Sequence, residues 1–186
     1  MTDQLRPLPQ TVAGIIDQPG YVDTDFFFLA TVLERLGEEW VDAPKILTPE
    51  QFDEVQEVIA GLHLPEDYRL YNDSTFAAVV AAAVELLPEE VWAKLHLDRE
   101  SWEKSLKSHR NLIAHSAKQG GPHRRFSTGL PLRALRDATA VVVTLLFAQH
   151  LGVDGDALSC AADGQRVQRI MKHKTGTLVF NNSGLE

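Results

Sequence analysis

The chain has 186 residues, 44% hydrophobic and 24% charged, a size and composition that suit one globular domain with a sizeable core. Its formal net charge of -8 argues against a nonspecific nucleic-acid coat. A single cysteine, Cys160, excludes an intramolecular disulfide framework and a cysteine-rich zinc site, and fits a reducing cytoplasm.

In chain order the pattern reads as helix almost throughout. Residues 1–22 form a Pro-rich stretch, expected to be a flexible N-terminal arm; it has no basic segment leading into an apolar one, so no secretory leader is expected. DTDFFFLATVLERLGEEWVDA has cap candidates in Asp23 and Thr24 and enough apolar length for a core helix. Its FFF run exceeds what one helix face needs, so a buried helix and a dimer seam are both open readings. TPEQFDEVQEVIAGL opens on Thr48 as N-cap with Pro49 at the first helical position and closes near Gly61. DSTFAAVVAAAVELLP, capped by Asp73 or Ser74, has apolar residues all round its axis and is expected to be the most buried helix.

PEEVWAKLH reads as a short helix, and DRESWEKSLKSHRNLIAHS as a longer one capped by Asp98. LPLRALRDATAVVVTLLFAQHLG follows a Gly-Gly-Pro loop and ends at Gly152. Its apolar run, 138–148, is about half of the roughly 20 residues a bilayer span needs, so a buried helix is expected and no membrane partner. A last helix is expected over about 156–173, weakened by Gly164, and then a tail with a short β-like patch, TLVF. No convincing strand pattern appears. The expected fold is all-α, an antiparallel bundle of four or more long helices over 23–152, with 153–186 as a C-terminal helix and tail.

Charge is distributed unevenly along this frame. Residues 1–103 carry 6 Lys/Arg against 21 Asp/Glu, whereas residues 104–136 carry 8 Lys/Arg and no acid. Such a basic band in an acidic chain suits a localised anionic ligand. Within it, a helical projection of 99–116 puts Trp102, Leu106, His109 and Ile113 on one stripe and Arg110 at its border. His109 therefore reads as a packing residue with a satisfied hydrogen bond. Asn111 and His115 share the opposite face with Lys104 and Ser108. On charge alone that face is also what a solvated helix C-terminus looks like, since the helix dipole favours cations there by roughly 0.3–1 kcal/mol.

The motif Arg110-Asn111-Leu-Ile-Ala-His115 resembles the signature of the HEPN superfamily, an Arg, four to six residues, and a His late in a helix of an all-helical domain. The resemblance covers the motif and the helical layout of about 23–152. It implies a HEPN-like homodimer in which two motifs face each other across a cleft and cut RNA without a metal. It also implies a cytoplasmic toxin or antiphage-defence effector, with a cognate antitoxin or regulatory protein as a further partner. By position, His115 is expected to handle protons, Arg110 to hold the scissile phosphate, and Asn111 to orient the others. A non-catalytic HEPN-like dimer that binds RNA, a nucleotide or a partner protein is the alternative.

Members paired with a nucleotidyltransferase antitoxin typically have Tyr two residues after the His. Ala117 stands there, which points to stand-alone or defence-associated members. Lys107, Lys118, His123, Arg124 and Arg125 are expected to grip the substrate backbone, with Arg133 and Arg136 following; the other reading of these residues is an ordinary basic loop. His63, His96, His150 and His173 lack ligand spacing, and no Gly-rich phosphate loop is present, so neither metal nor cofactor is expected.

Overall fold

The computed structural model describes residues 7–62, 64–65, 68–119 and 129–175; within these, the side chains of residues 7, 115–119, 129–131 and 172–175 are not described. Among the described residues the protein is all-helical, with one isolated antiparallel bridge, Lys45 to Ser74. The helices are α1 (Pro7–Asp17), α2 (Val22–Trp40), α3 (Pro49–Ala60), α4 (Phe76–Val84), α5 (Glu89–Leu95), α6 (Arg99–Gln119), α7 (Gly129–His150), α8 (Gly155–Asp163) and α9 (Gln165–Thr175). No helix among the described residues is long and apolar enough to cross a membrane.

The core is organised on α7. From Leu132 to Phe147 all of its residues are buried except Arg133 and Thr144, and α1, α2, α6, α8 and α9 pack against it. The sequence pattern gave that place to α4, whose residues also surround the axis. Yet α4 is only nine residues long and buries Val79, Val80, Ala83 and Val84, leaving Ala77, Ala78, Ala81 and Ala82 half-buried. Length decides between them, because a helix of more than twenty residues can receive neighbours on every side.

Residues 7–17 lie in the stretch read as a flexible arm, but they form α1 and put Val12 and Ile15 into the core against α7. The prolines misled the reading: Pro7 and Pro9 stand in the first turn, where a missing N–H costs nothing. At the other end Gly164 does more than weaken a helix. Its extended backbone (φ -61°, ψ 144°) separates α8 from α9, and Gln168 then ties α9 down by donating to the carbonyls of Lys94 (2.7 Å) and Ala162 (2.9 Å). The tail read as β-like lies outside the described residues.

Local signals explain several helix starts, but not that of α2, which begins at Val22 with Tyr21 at the N-cap position and no side-chain cap bond, so Asp23 and Thr24 lie inside the helix. Thr48 caps α3 in a full capping box with Gln51, and Pro49 follows at the first helical position. Thr75, rather than Asp73 or Ser74, caps α4 by accepting from Ala78 N at 3.1 Å. Ser74 and its neighbours are used elsewhere. Ser74 Oγ donates to Ala43 O, and the Asn72 amide bonds both N and O of Leu47, closing the neck of the 43–74 excursion that carries α3. No residue of α3 is buried.

The α2–α4 contact depends on one glycine. A Cβ at Gly37 would lie 2.8 Å from Val79 O and closer still to Val79 Cγ1. The backbone of α4 cannot move aside without disturbing Val80 and Ala83, both in the core. Gly37→Ala is therefore expected to destabilise the fold by about 1–3 kcal/mol despite its better helix propensity, read as a lower midpoint in urea with unchanged m.

Candidate RNA-contacting site on α6

Helix α6 begins with well-satisfied electrostatics. Asp98 accepts from Ser101 N at 2.6 Å, which lowers its carboxyl pKa from the ordinary value. Burial alone would lower the pKa of Arg99, but bonds to Glu85 (2.6 Å) and Glu103 (2.8 Å) outweigh it and raise it. Lys104 is tied to Glu100 at 2.6 Å, one turn back on the same helix. Lys104 is thus already paired, although the sequence counts it in the basic band.

Packing then fixes the helix against its neighbours. Trp102 is buried, and its Nε1–H donates to Thr139 Oγ1 at 3.2 Å, while that hydroxyl donates to Leu135 O at 2.7 Å. This relay joins α6 to α7 with each donor used. Leu106 is fully buried one turn on. His109 comes next on the same stripe: Nδ1 pairs with Ser105 O at 2.9 Å and the ring meets Phe26 edge-on at 6.2 Å. It is a packing histidine, as its position on the projection indicated.

Arg110 sits where α6 meets both α2 and α4. Its Nη2 donates to both carboxylate oxygens of Glu34, at 3.2 and 3.3 Å, and its guanidinium lies 5.0 Å from the ring centre of Phe76. Arg110 and Glu34 are each about three-quarters shielded, with side-chain exposures of 31% and 24%. The sequence reading missed Glu34. Its one signal was an acid within a turn of the core positions Ala30, Leu33 and Gly37, where a charge calls for a partner.

Asn111 is half-buried beside Arg110, Lys107 is exposed, and Leu112 is exposed at 45%. The α6 backbone continues through His115 and Lys118 to Gln119, so Lys118 belongs to the helix and not to the following loop. The side chains of His115 and Lys118, and all of His123, Arg124 and Arg125, lie outside what the structure describes. Helix geometry places the His115 Cα about 7.5 Å along the axis from that of Arg110 and turned by about 140°.

Arg136 leaves the group. It is 5% exposed on α7, with Nε 3.0 Å from Asp137 Oδ1, and so is closed to a polymer backbone. Proximity in sequence had grouped residues that the fold separates.

No protein-family model matches the chain, and neither curated proteins nor solved structures match it. Among the described residues the fold defines an all-helical protein with an Arg–Glu pair held at a three-helix junction.

Two measurements follow. A double-mutant cycle on Arg110→Gln and Glu34→Gln is expected to give a coupling of about 0.5–2 kcal/mol in urea unfolding; additivity would show that the pair contributes nothing. Asp98→Ala is expected to lower Tm at pH 7. Because the folded pKa of Asp98 is depressed, its contribution is complete above the unfolded value of about 3.9 and is lost as pH falls through the folded value. The Tm gap between wild type and variant should then close in acid, and a constant gap would remove the charge from the account.

Proposed function

We propose that the protein is a metal-independent endoribonuclease of HEPN type, acting in the cytoplasm as a toxin or antiphage-defence effector. The observation that carries this reading is the run Arg110-Asn111-x-x-x-His115 on one helix, with Arg110 held at a junction of three helices. The fold would be a HEPN-like antiparallel bundle, and two copies would meet so that their motifs form one cleft. A cognate antitoxin or regulatory protein would restrain it.

The chemistry needs only what such a cleft supplies. The 2′-oxygen of the RNA attacks phosphorus and gives its proton to one His115 imidazole. The bond from phosphorus to the 5′-oxygen breaks, and that oxygen takes a proton from the second copy's imidazolium. Histidine, with an unperturbed pKa of about 6.5, can serve in either role near neutral pH. Arg110 places positive charge on the phosphorane oxygens. Both of its bonds to Glu34 leave from Nη2, the nitrogen common to the two donor edges of the guanidinium, so a phosphate would share Nη2 with Glu34 or bond singly to Nη1 or Nε. Asn111 would orient the RNA, and Lys107, Lys118, His123, Arg124 and Arg125 would hold its backbone.

The about 140° between Arg110 and His115 favours a composite site, since a twofold partner can bring its own pair to complete each half. A second reading, a non-catalytic dimer that binds RNA, a nucleotide or a partner protein, is favoured by the Glu34 carboxylate. It already neutralises Arg110 and would compete with phosphate.

The test is incubation with total RNA in EDTA. Cleavage should leave 2′,3′-cyclic phosphate ends and fall by roughly 10²-fold or more in His115→Ala and in Arg110→Ala. Cleavage that survives both substitutions would overturn the site. Salt-sensitive binding without turnover would select the second reading.

A further inference from the structure

Helices α1, α7, α8 and α9 line an open cavity of about 550 Å³, within the size range of small-molecule sites. Its walls are largely apolar, with Ile16 from α1, Val141 and Leu145 from α7, and Val167 and Ile170 from α9. Three arginines also line it, Arg133, Arg136 and Arg166, against two aspartates, Asp17 and Asp137. The charge of the lining is thus one unit positive.

The arginines differ in what they are bonded to. Arg166, exposed, pairs with Asp17 at 3.3 Å. Arg136 is 5% exposed, and although its Nε lies 3.0 Å from Asp137 Oδ1, that Nε makes no hydrogen bond. Burial lowers the pKa of Arg136, the Asp25 carboxylate opposes this, and the neighbouring Arg133 adds to the lowering. Asp25 itself does not line the cavity and accepts from Gly20 N at 2.9 Å. Arg133 and Arg136 stand one turn apart on α7, the first exposed and the second buried, and their like charges repel. An anionic head beside Arg133 and Arg136 would offset that repulsion by charge, while the Arg136 Nε itself stays buried against Asp137. The apolar walls behind them have nothing to offer a hydrophilic ligand.

We propose that this cavity binds a monoanionic amphiphile: a carboxylate with an apolar body, its head at Arg133 and Arg136 and its body between α1, α7 and α9. The site shares no residue with the Arg110 junction and does not depend on the RNA-cleavage reading.

Octanoate is the probe, with octanol as the uncharged match, measured by titration calorimetry and by thermal shift on the full chain. Wild type should bind octanoate and gain Tm, and should bind octanol at least about ten-fold more weakly. Arg133→Gln, at an exposed position, should weaken octanoate about ten-fold and leave octanol unchanged. Thr144→Trp, on an exposed lining position, should block both by filling the entrance. Equal affinity for octanoate and octanol, indifference to Arg133→Gln, or no binding at millimolar octanoate would each overturn the proposal.

Discussion

The burial of α7 on nearly every side, with Arg133 and Thr144 as the exceptions between Leu132 and Phe147, is the constraint from which the rest of the structure follows. A helix surrounded by others has no polar face to give to water, so its neighbours must satisfy the few polar groups it carries. Thr139 is met by Trp102 from α6, and the charge of Arg136 is offset by Asp137 on α7 itself and by Asp25, although its Nε makes no hydrogen bond. The first of these fixes the rotation of α6, because the indole can reach the hydroxyl only when the Trp102 stripe faces α7. Once that rotation is set, Leu106 and His109 follow into the interior and Arg110 is carried to the border, against α2 and α4.

At that border the electrostatics are finely divided. Glu34 neutralises Arg110 in a largely shielded setting, where a guanidinium left alone would cost more than it does in water. The same pairing holds the guanidinium in one place, with Phe76 beneath it. A phosphate arriving at this junction would meet an oriented cation but also a nearby carboxylate. The proposed chemistry therefore works at a discount, and a narrow substrate able to add further contacts is what such a site would accept. Arg133 and Arg136 do not reinforce it, since both line the separate cavity beside α1 and α9.

How much of this was legible in the sequence can be argued residue by residue. Thr48, Pro49 and Gln51 announced α3, and Asp98 announced α6, because capping uses a handful of neighbouring residues whose identities suffice. The place of His109 followed from helical period alone. What failed was whatever depended on partners far along the chain. Glu34 and Arg110 are 76 residues apart, and no local pattern joins them. The core role of α1 was hidden by prolines that read as an arm, and the central role of α7 over α4 depended on length and on what packs around it. The basic band was real as a count and divided as a surface: Lys104 is paired with Glu100, Arg110 with Glu34, Arg136 is buried, and Arg133 lines the separate cavity, which leaves Lys107 exposed on α6.

The central claim is that one copy of α6 supplies half of a cutting site. The most direct measurement is the RNA-cleavage rate per chain as protein is diluted through the monomer–dimer transition, with the oligomeric state followed by sedimentation at the same concentrations. A composite site predicts that the rate per chain is constant where the protein is dimeric and falls in step with the dimer fraction. A rate per chain that stays constant where sedimentation shows only monomer, or no cleavage at any concentration, would contradict it.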